Sequence, residues 1–379
     1  MVARGSQSAL RQANAAHVLD VLTRGAVTQA DVCRATDLSP ATVSAIVREL
    51  LDGGVVEQSA ASAGRGQALE LTARGGLTVG LAFGSARALI AVGDLASTVR
   101  SEATLSLLDR TTPQVLDDAA ATILGLIAAQ EVDRSSLAAV GIGVAGPLNT
   151  VSGVERHRRF ADVDLAAELH ARLGCPVHID NDANLGARAE SRWGHQTGAQ
   201  TAIWLKASTG IGVGLLIGGR VHRGAKGLAG EFGHVQVDPT GQLCGCGNRG
   251  CLELTAAGPA LTAEYAATTG RSISTAELVA AAIAGDPAAE RLVDDAGTRL
   301  GSALATLVTT LDPECVVVGG DLAGAGDLLL DPLAAALRRA AMPAAARDVA
   351  VSVSALGDRA EVLGALALAL DHARPQLPG

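Results

Sequence analysis

The chain has 379 residues, a formal net charge of −9 and 48% hydrophobic residues, but only 2% aromatic residues. This length allows two or three domains, whose cores must be built from Ala, Val, Leu and Ile. The negative charge argues against a protein that coats nucleic acid over its whole surface, and no apolar run reaches the ~18 residues of a membrane span. The N-terminus lacks the apolar stretch of a signal peptide, so we expect a cytoplasmic protein with reduced thiols.

The first part of the chain predicts two short helices separated by the segment RGAV. Apolar residues recur at helical spacing between Leu10 and Leu22. Thr28 is followed three residues later by Asp31, an acidic form of the capping box, which predicts a second helix that extends through Ala35.

A third helix is predicted to follow a tight turn at Asp37-Leu38. Ser39 would cap it, and Pro40 would take its first position, where the missing N–H costs nothing. Its apolar stripe consists of Val43, Ile46, Val47 and Leu50, which leaves Thr42, Ser44, Ala45 and Arg48 exposed. Together with the runs GGVVEQ and QALELT as a two-stranded wing, these helices predict a winged helix-turn-helix over residues 1–75.

Five polar residues of this domain are predicted to contact DNA: Ser39, Thr42, Ser44, Arg48 and Arg65. Base reading would depend mainly on Thr42, Ser44 and Arg48. Arg65 lies between two glycines and is suited to a narrow minor groove, where negative potential is concentrated. The alternative is a three-helix module that binds proteins.

From Leu77 onward, apolar runs alternate with glycine-rich turns and Ala/Leu-rich helical patterns, which predicts an α/β body. The predicted hairpins are LTVGLAFG with ALIAVGDLA, and the pair within TAIWLKASTGIGVGLLIGG. The predicted single strands are AAVGIGVAGPL, CPVHIDNDAN and CVVVGGDLAG, and the predicted helical regions are Gln114–Ala129 and Leu254–Val308, the latter with a break near Gly285.

One stretch, Gly227–Glu253, contains half of the six cysteines. Cys244, Cys246 and Cys251 lie close together, and His234 lies just upstream. Three thiolates and one imidazole suit a closed tetrahedral zinc site.

The glycines between these ligands, Gly245, Gly247 and Gly250, would allow the backbone to turn tightly. A loop of buried cysteines and a disulfide are the alternatives, and the Cys-x-Cys spacing makes a disulfide awkward. The other three cysteines, Cys33, Cys175 and Cys315, are interpreted as small core residues.

The same stretch resembles the zinc and sugar-binding signature of the ROK family, which contains bacterial sugar kinases and sugar-responsive repressors. The match is G-x-x-G-E-x-G-H at Gly227–His234, followed by C-x-C-G-x-x-G-C-x-E at Cys244–Glu253. The resemblance extends to the N-terminal segment LSPATVSAIVREL, which is similar to the DNA-binding domain of the family's repressors.

This resemblance implies a two-lobed actin-like/sugar-kinase (ribonuclease H-like) body over residues 76–379, with the second lobe from about 186. It also implies a sugar site in which Asp182 accepts a sugar hydroxyl's proton. The implied ligand-binding residues are Asn181, Asp182, Glu231, His234 and Glu253, and the implied metal ligands are His234, Cys244, Cys246 and Cys251. A helix cap is the alternative role for Asn181 or Asp182.

The phosphate-contacting stretches of the family's kinases are only partly present. Where those kinases have D-x-G-G-T, this chain has Ala82 in place of the aspartate and keeps Gly84. The glycines of Ser208–Gly214 and Gly319-Gly320 survive, but turns alone can require them. The missing carboxylate argues against phosphoryl transfer.

A second departure lies where the family tends to have a sugar-contacting asparagine. This chain has His157, Arg158 and Arg159 near that position. They are either a solvated surface run or a site for an anionic ligand, because arginine binds oxyanions bidentately.

We therefore expect a sugar-responsive transcriptional regulator, most simply a repressor, with zinc, operator DNA and a carbohydrate effector as partners and with a homodimer or homotetramer as the assembly. The competing hypotheses are a sugar kinase that carries a DNA-binding domain, and a regulator that responds to a protein partner instead of a sugar.

Overall fold

The computed structural model describes residues 14, 15, 17–19, 21, 22, 27–59, 67–72, 75–146, 148, 149, 154, 155, 160 and 163–373. Its contacts divide the chain into two compact units. The first unit comprises Met1–Ile142, Asp162–Ile179 and Ala365–Gly379, and the second comprises Gly143–Ala161 and Asp180–Gly364.

The N-terminal helices form where the capping residues predict them. Helix α1 spans Gln29–Thr36, and Thr28 and Asp31 form its capping box. Asp37 ends α1 in the left-handed conformation, with φ of 56°. Helix α2 spans Pro40–Asp52, and the four predicted stripe residues are all buried.

A small antiparallel ladder completes this region. Strand β1 (Val56–Ser59) pairs with β2 (Ala68–Leu71), and an isolated bridge joins Val27 to Leu69. The helical residues described between positions 14 and 22 pack with α1, α2 and the wing into one apolar cluster. The predicted winged helix is therefore present.

The first unit also contains a five-stranded sheet in the order β5-β4-β3-β6-β9. Its strands are β3 (Leu77–Phe83), β4 (Arg87–Asp94), β5 (Val99–Ser106), β6 (Leu137–Val144) and β9 (Val177–Asn181). Helix α3 (Thr112–Ala128) lies between β5 and β6, and the short strands β7 (Leu148–Asn149) and β8 (Val154–Glu155) pair with each other before α4 (Leu165–Leu173). Strand β5 was not expected from the sequence; its residues alternate between half-buried and exposed along an edge of the sheet.

The second unit contains a mixed five-stranded sheet in the order β12-β11-β10-β13-β14. After helix α5 (Asp182–Trp193), its strands are β10 (Thr201–Ala207), β11 (Ile211–Ile217), β12 (Arg220–Val221), β13 (Cys315–Gly319) and β14 (Ala350–Val353). Its other helices are α6 (Glu253–Ala256), α7 (Gly258–Thr269), α8 (Thr275–Ile283), α9 (Pro287–Leu311), α10 (Asp327–Ala340), α11 (Pro343–Arg347) and α12 (Ala360–His372). The predicted break lies between α8 and α9.

Strand β10 separates two packed layers because its side chains alternate between the faces of the sheet. Ile203, Leu205 and Ala207 belong to the large apolar cluster formed with α7 to α10. Trp204 points to the opposite face and packs in a smaller cluster with Ala183 and Ala187 of α5.

The C-terminal helix α12 was not assigned from the sequence. An added Cβ on Gly364 would lie 1.9 Å from the carbonyl oxygen of Leu185 in α5, and one on Gly141 would lie 1.9 Å from that of Ala365. At both glycines, the backbone of α12 packs directly against another backbone. The contact between Gly141 and Ala365 lies within the first unit, to which the chain belongs again from Ala365 onward. The predicted boundaries at 75/76 and near 186 stay predictions.

Among the described residues, no helix is both long and apolar enough to cross a membrane.

Two glycine substitutions test the packing of α12. Gly364→Ala should destabilise the protein by about 1–3 kcal/mol or more, because the new methyl group overlaps a backbone carbonyl. Gly125→Ala is the matched control: nothing lies within 4 Å of its added Cβ, and alanine in the last turn of α3 should stabilise by about 0.5–1 kcal/mol. Urea midpoints measure both effects, and a Gly364→Ala variant as stable as the wild type would contradict the close approach.

Candidate ligand and metal site

The end of strand β9 holds the first two residues predicted to bind a ligand. Asn181 is the N-cap of α5: its Oδ1 accepts hydrogen bonds from the backbone N–H groups of Ala183 (2.9 Å) and Asn184 (3.3 Å). Its amide group also donates to the carbonyl of Gly146 at 3.0 Å. The capping alternative therefore applies to Asn181, and Asp182, the first residue of α5, also accepts a hydrogen bond from the Ala183 N–H at 2.8 Å.

Asp182 is part of a buried ion cluster that the sequence analysis missed. The Lys206 ammonium group lies 2.6 Å from a carboxylate oxygen of Asp182 and 2.6 Å from one of Glu361. Burial would lower the pKa of Lys206, but the two carboxylates outweigh it and raise that pKa above its usual value. Lys206 is the one charged residue of β10, which is the signal that could have marked it.

A second ion pair fixes the neighbouring loop. Asp180, also at the end of β9, accepts hydrogen bonds from the Asn184 amide (3.0 Å) and from Nε of Arg223 (3.1 Å). The backbone carbonyl of Arg223 accepts from the N–H of Ala229 at 3.0 Å. Arg223 thus joins the end of β9 to the loop that leads into Glu231, and the sequence analysis did not single out this pair.

Glu231 lies within electrostatic range of three other predicted ligand residues. Burial raises the pKa of Glu231; His234 opposes this rise, and the charges of Asp182 and Glu253 add to it. Glu253 accepts a hydrogen bond from the N–H of Ile211 at 3.2 Å. The structure therefore brings Asp182, Glu231, His234 and Glu253 into one electrostatic neighbourhood in the second unit.

The Glu253 carboxylate also accounts for the glycine at position 210, in the turn between β10 and β11. A Cβ on Gly210 would lie 3.0 Å from a carboxylate oxygen of Glu253, so the turn between β10 and β11 leaves little room beside that carboxylate.

The four predicted metal ligands form one cluster. The ligand atoms of His234, Cys244, Cys246 and Cys251 all lie within 4.8 Å of one another. The Cys244 Sγ to His234 Nδ1 distance is 3.6 Å, and the Cys246 Sγ to Cys251 Sγ distance is 3.7 Å. The sulfur atoms are too far apart for a disulfide, whose S–S bond is about 2.05 Å. This His/Cys cluster could hold a metal ion.

Two of the three glycines between the ligands are needed for the loop's conformation. Gly247 and Gly250 have positive φ angles of 97° and 60°, and a Cβ on Gly250 would lie 1.6 Å from the carbonyl oxygen of Asp238. Gly245 has no positive φ, and nothing lies within 4 Å of its added Cβ. The expectation that all three glycines shape the loop is therefore wrong for Gly245.

The predicted DNA-contacting residues lie on or next to α2, apart from Arg65. Arg48 is exposed, and Thr42 and Ser44 are partly exposed. The Ser39 hydroxyl is engaged as the helix cap, since it accepts a hydrogen bond from the Thr42 N–H at 3.2 Å. Arg65 lies outside the described residues, as do His157, Arg158 and Arg159.

The surviving glycines near the predicted phosphate stretches have structural explanations. A Cβ on Gly319 would lie 2.5 Å from the Trp204 ring, and one on Gly214 would lie 2.2 Å from the carbonyl of Ala183. Gly320 has a positive φ of 87°. Ala82 is buried in β3, opposite Leu89.

Comparison with known proteins identifies the two parts of the chain. The profile described as the ROK family matches residues 78–372, and that of the MarR family matches residues 11–66. The fold class expected from the sequence, a winged helix followed by an actin-like sugar-kinase fold, is confirmed by these matches and by the solved structures.

Three similar proteins differ in how much of the chain they match. The xylose repressor of Caldicellulosiruptor bescii is 27% identical, and the match covers 97% of each chain. The glucokinase of Streptomyces coelicolor is 34% identical over 78% of this chain and 98% of its own. The solved structure of a ROK family transcriptional regulator, described as a homologue of the E. coli Mlc protein, has a TM-score of 0.77 at 26% identity and covers 96% of each chain.

Proposed function

The chain belongs to the ROK family, and we propose that this member is a transcriptional repressor that binds operator DNA through its winged helix and a sugar through the carboxylate cluster of its second unit. The observation that carries the proposal is the presence of both parts in one chain. Repressor relatives match nearly the whole chain, whereas the glucokinase match leaves about a fifth of this chain uncovered.

The carboxylate cluster has the chemistry that a sugar requires. Asp182, Glu231 and Glu253 supply hydrogen-bond acceptors, which suit neighbouring hydroxyl groups of a carbohydrate. His234 completes the set and can also bind a metal through one ring nitrogen. We propose that these four residues, with Asn181, form the effector site.

We further propose that the His/Cys cluster holds a structural zinc ion. Zinc bonds of about 2.3 Å to sulfur and 2.0–2.1 Å to nitrogen place tetrahedral ligands about 3.8 Å (S to S) and 3.6 Å (S to N) apart. The measured 3.7 and 3.6 Å fit these values. The ion would bind the loop at two points, since His234 lies three residues after Glu231 and Cys251 two residues before Glu253.

Two observations support a binding site in place of a kinase. Ala82 supplies no carboxylate at the position where the family's kinases hold the metal–phosphate end of ATP. Asp182 already forms an ion pair with the Lys206 ammonium at 2.6 Å. This ion pair holds the Asp182 carboxylate in place as a hydrogen-bond acceptor for a ligand. The kinase alternative draws its support from the 34% identity with glucokinase.

We also propose that the protein acts as a homodimer or homotetramer, because a two-fold assembly presents two winged helices to two operator half-sites.

The zinc proposal is tested by metal analysis and one substitution. Purified protein should contain about one zinc per chain, and Cys246→Ser should lose it, because one of four ligands is gone. Cys33→Ser, a cysteine of the winged helix outside the cluster, is the control and should keep the metal. Wild-type protein that is isolated without chelators and contains no zinc would contradict the assignment.

The operator proposal is tested with duplexes that the full-length wild type selects from a random-sequence DNA pool. Arg48→Ala should weaken binding to the selected duplex by about 1–3 kcal/mol and relax its sequence preference, if Arg48 contacts a base edge. Arg291→Ala is the control: Arg291 is exposed on α9, far along the chain from the winged helix, and should bind as the wild type does. Failure to enrich any sequence would count against a specific operator.

The sugar proposal is tested by thermal shift and calorimetry. Neutral sugars (D-xylose and D-glucose among them), sugar phosphates and sugar acids are compared, since a ligand that binds only the native state raises the melting temperature. Asp182→Asn should reduce the shift for the sugar that binds, whereas Glu290→Gln, which changes an exposed carboxylate of α9, should not.

The same samples separate the repressor from the kinase. Wild-type protein should bind no ATP by calorimetry and should phosphorylate no sugar in its presence. ATP-dependent phosphorylation of any sugar in the panel would establish the kinase alternative and give Asp182 the role of catalytic base.

A further inference from the structure

The C-terminal helix α12 belongs to both units. Its residues up to Gly364 are part of the second unit, and those from Ala365 are part of the first. The helix is almost entirely enclosed: Leu366 and Ala369 are fully buried, and Val362 and Leu368 are nearly so. A helix with so little exposed surface moves only together with what it touches.

The N-terminal turn of α12 contacts the proposed sugar site. Glu361 shares the Lys206 ammonium group with Asp182, and both N–O distances are 2.6 Å. All three side chains are mostly buried, with exposures of 12% for Lys206, 8% for Asp182 and 22% for Glu361. A hydroxyl group that binds Asp182 therefore competes with Lys206, the shared partner of Glu361, for the Asp182 carboxylate.

The middle of α12 has little freedom to shift alone. Gly364 lies against the backbone of Leu185 in α5, the helix that begins with Asp182, and a Cβ there would lie 1.9 Å from the Leu185 oxygen. Two residues further along, Gly93 of β4 leaves room for Leu366, since its added Cβ would lie 2.9 Å from that side chain. Backbones in such close contact transmit a displacement instead of absorbing it.

The other end of α12 reaches the winged helix. Leu370 and Ala373 pack against the apolar cluster whose buried members include Val47 and Leu50 of α2. Leu95 and Ala96, from the turn after β4, belong to the same packing. Helix α2 is the helix that carries Arg48.

We propose that α12 links the sugar site to the winged helix, with the Lys206–Glu361 ion pair as the contact that senses the state of Asp182. The interpretation of this link as regulation rests on the proposed function. Sugar binding at Asp182 would change how Lys206 is shared, shift the first turn of α12 and, through Leu370 and Ala373, change the packing beneath α2. Such coupling is reciprocal, so a change at the winged-helix end must also reach Asp182.

Hydrogen exchange of the full-length protein, without sugar or DNA, tests the link. Glu361→Gln removes the charge that Lys206 binds, and it should speed exchange about tenfold at residues 365–372 and at 43–50 of α2. Residues 315–319, strand β13 of the second unit's sheet, should not change. Glu290→Gln, the exposed control on α9, should leave all three segments as in the wild type.

A second variant tests the link in the opposite direction. It is needed if Glu361→Gln speeds hydrogen exchange throughout the second unit, because that result alone would not identify α12 as the link. Leu370→Ala should speed exchange at residues 182–186, while Leu328→Ala, a partly exposed leucine of α10, should not. The proposal is overturned if Glu361→Gln leaves 43–50 unchanged, or if Leu370→Ala leaves 182–186 unchanged. These readouts need no effector, so they stand even if no sugar or operator is found.

Discussion

The buried ammonium group of Lys206 is the interaction around which the second unit's site is arranged. Removing three charged groups from water costs several kcal/mol for each ion, and only close pairing offsets that cost. Asp182 and Glu361 both lie 2.6 Å from the ammonium group, so strand β10, the start of α5 and the start of α12 are held at one point. Any ligand that binds Asp182 therefore changes ion pairs that already join these three elements.

The His/Cys cluster supplies a second constraint, on the loop that faces this point. That loop has little regular structure: a single 3-10 turn at Phe232–His234 and two isolated β-bridges are its only regular features among the described residues from 222 to 252. Its carboxylates would be poorly positioned by such a backbone alone. A common metal ion for His234 and Cys251 would compensate for the missing ladder, because it would fix these two points of the loop relative to each other.

Local signals predicted the fold well, and long-range pairs were missed. Thr28 with Asp31, and Ser39 with Pro40, define the helix starts within a few residues, so the sequence contains the whole interaction. The Lys206–Glu361 pair joins residues far apart in the chain, and no local pattern connects them. Strand β5 was missed because an edge strand with polar residues at alternate positions resembles a loop in sequence. For α12, the Ala/Leu pattern is that of a buried helix, but it does not identify the residues that the helix packs against.

Trp204 gives the protein a built-in optical reporter. It is 1% exposed, lies against Gly186 and Gly319, and its indole N–H has no hydrogen-bond partner among the described residues. The chain has only one other tryptophan, Trp193, whose ring lies 5.3 Å from the guanidinium carbon of Arg192. Side chains two residues apart on a strand share a face, so Trp204 sits beside Lys206. Its emission therefore reports on the face of β10 that packs against α5, next to the ion cluster, without any attached dye.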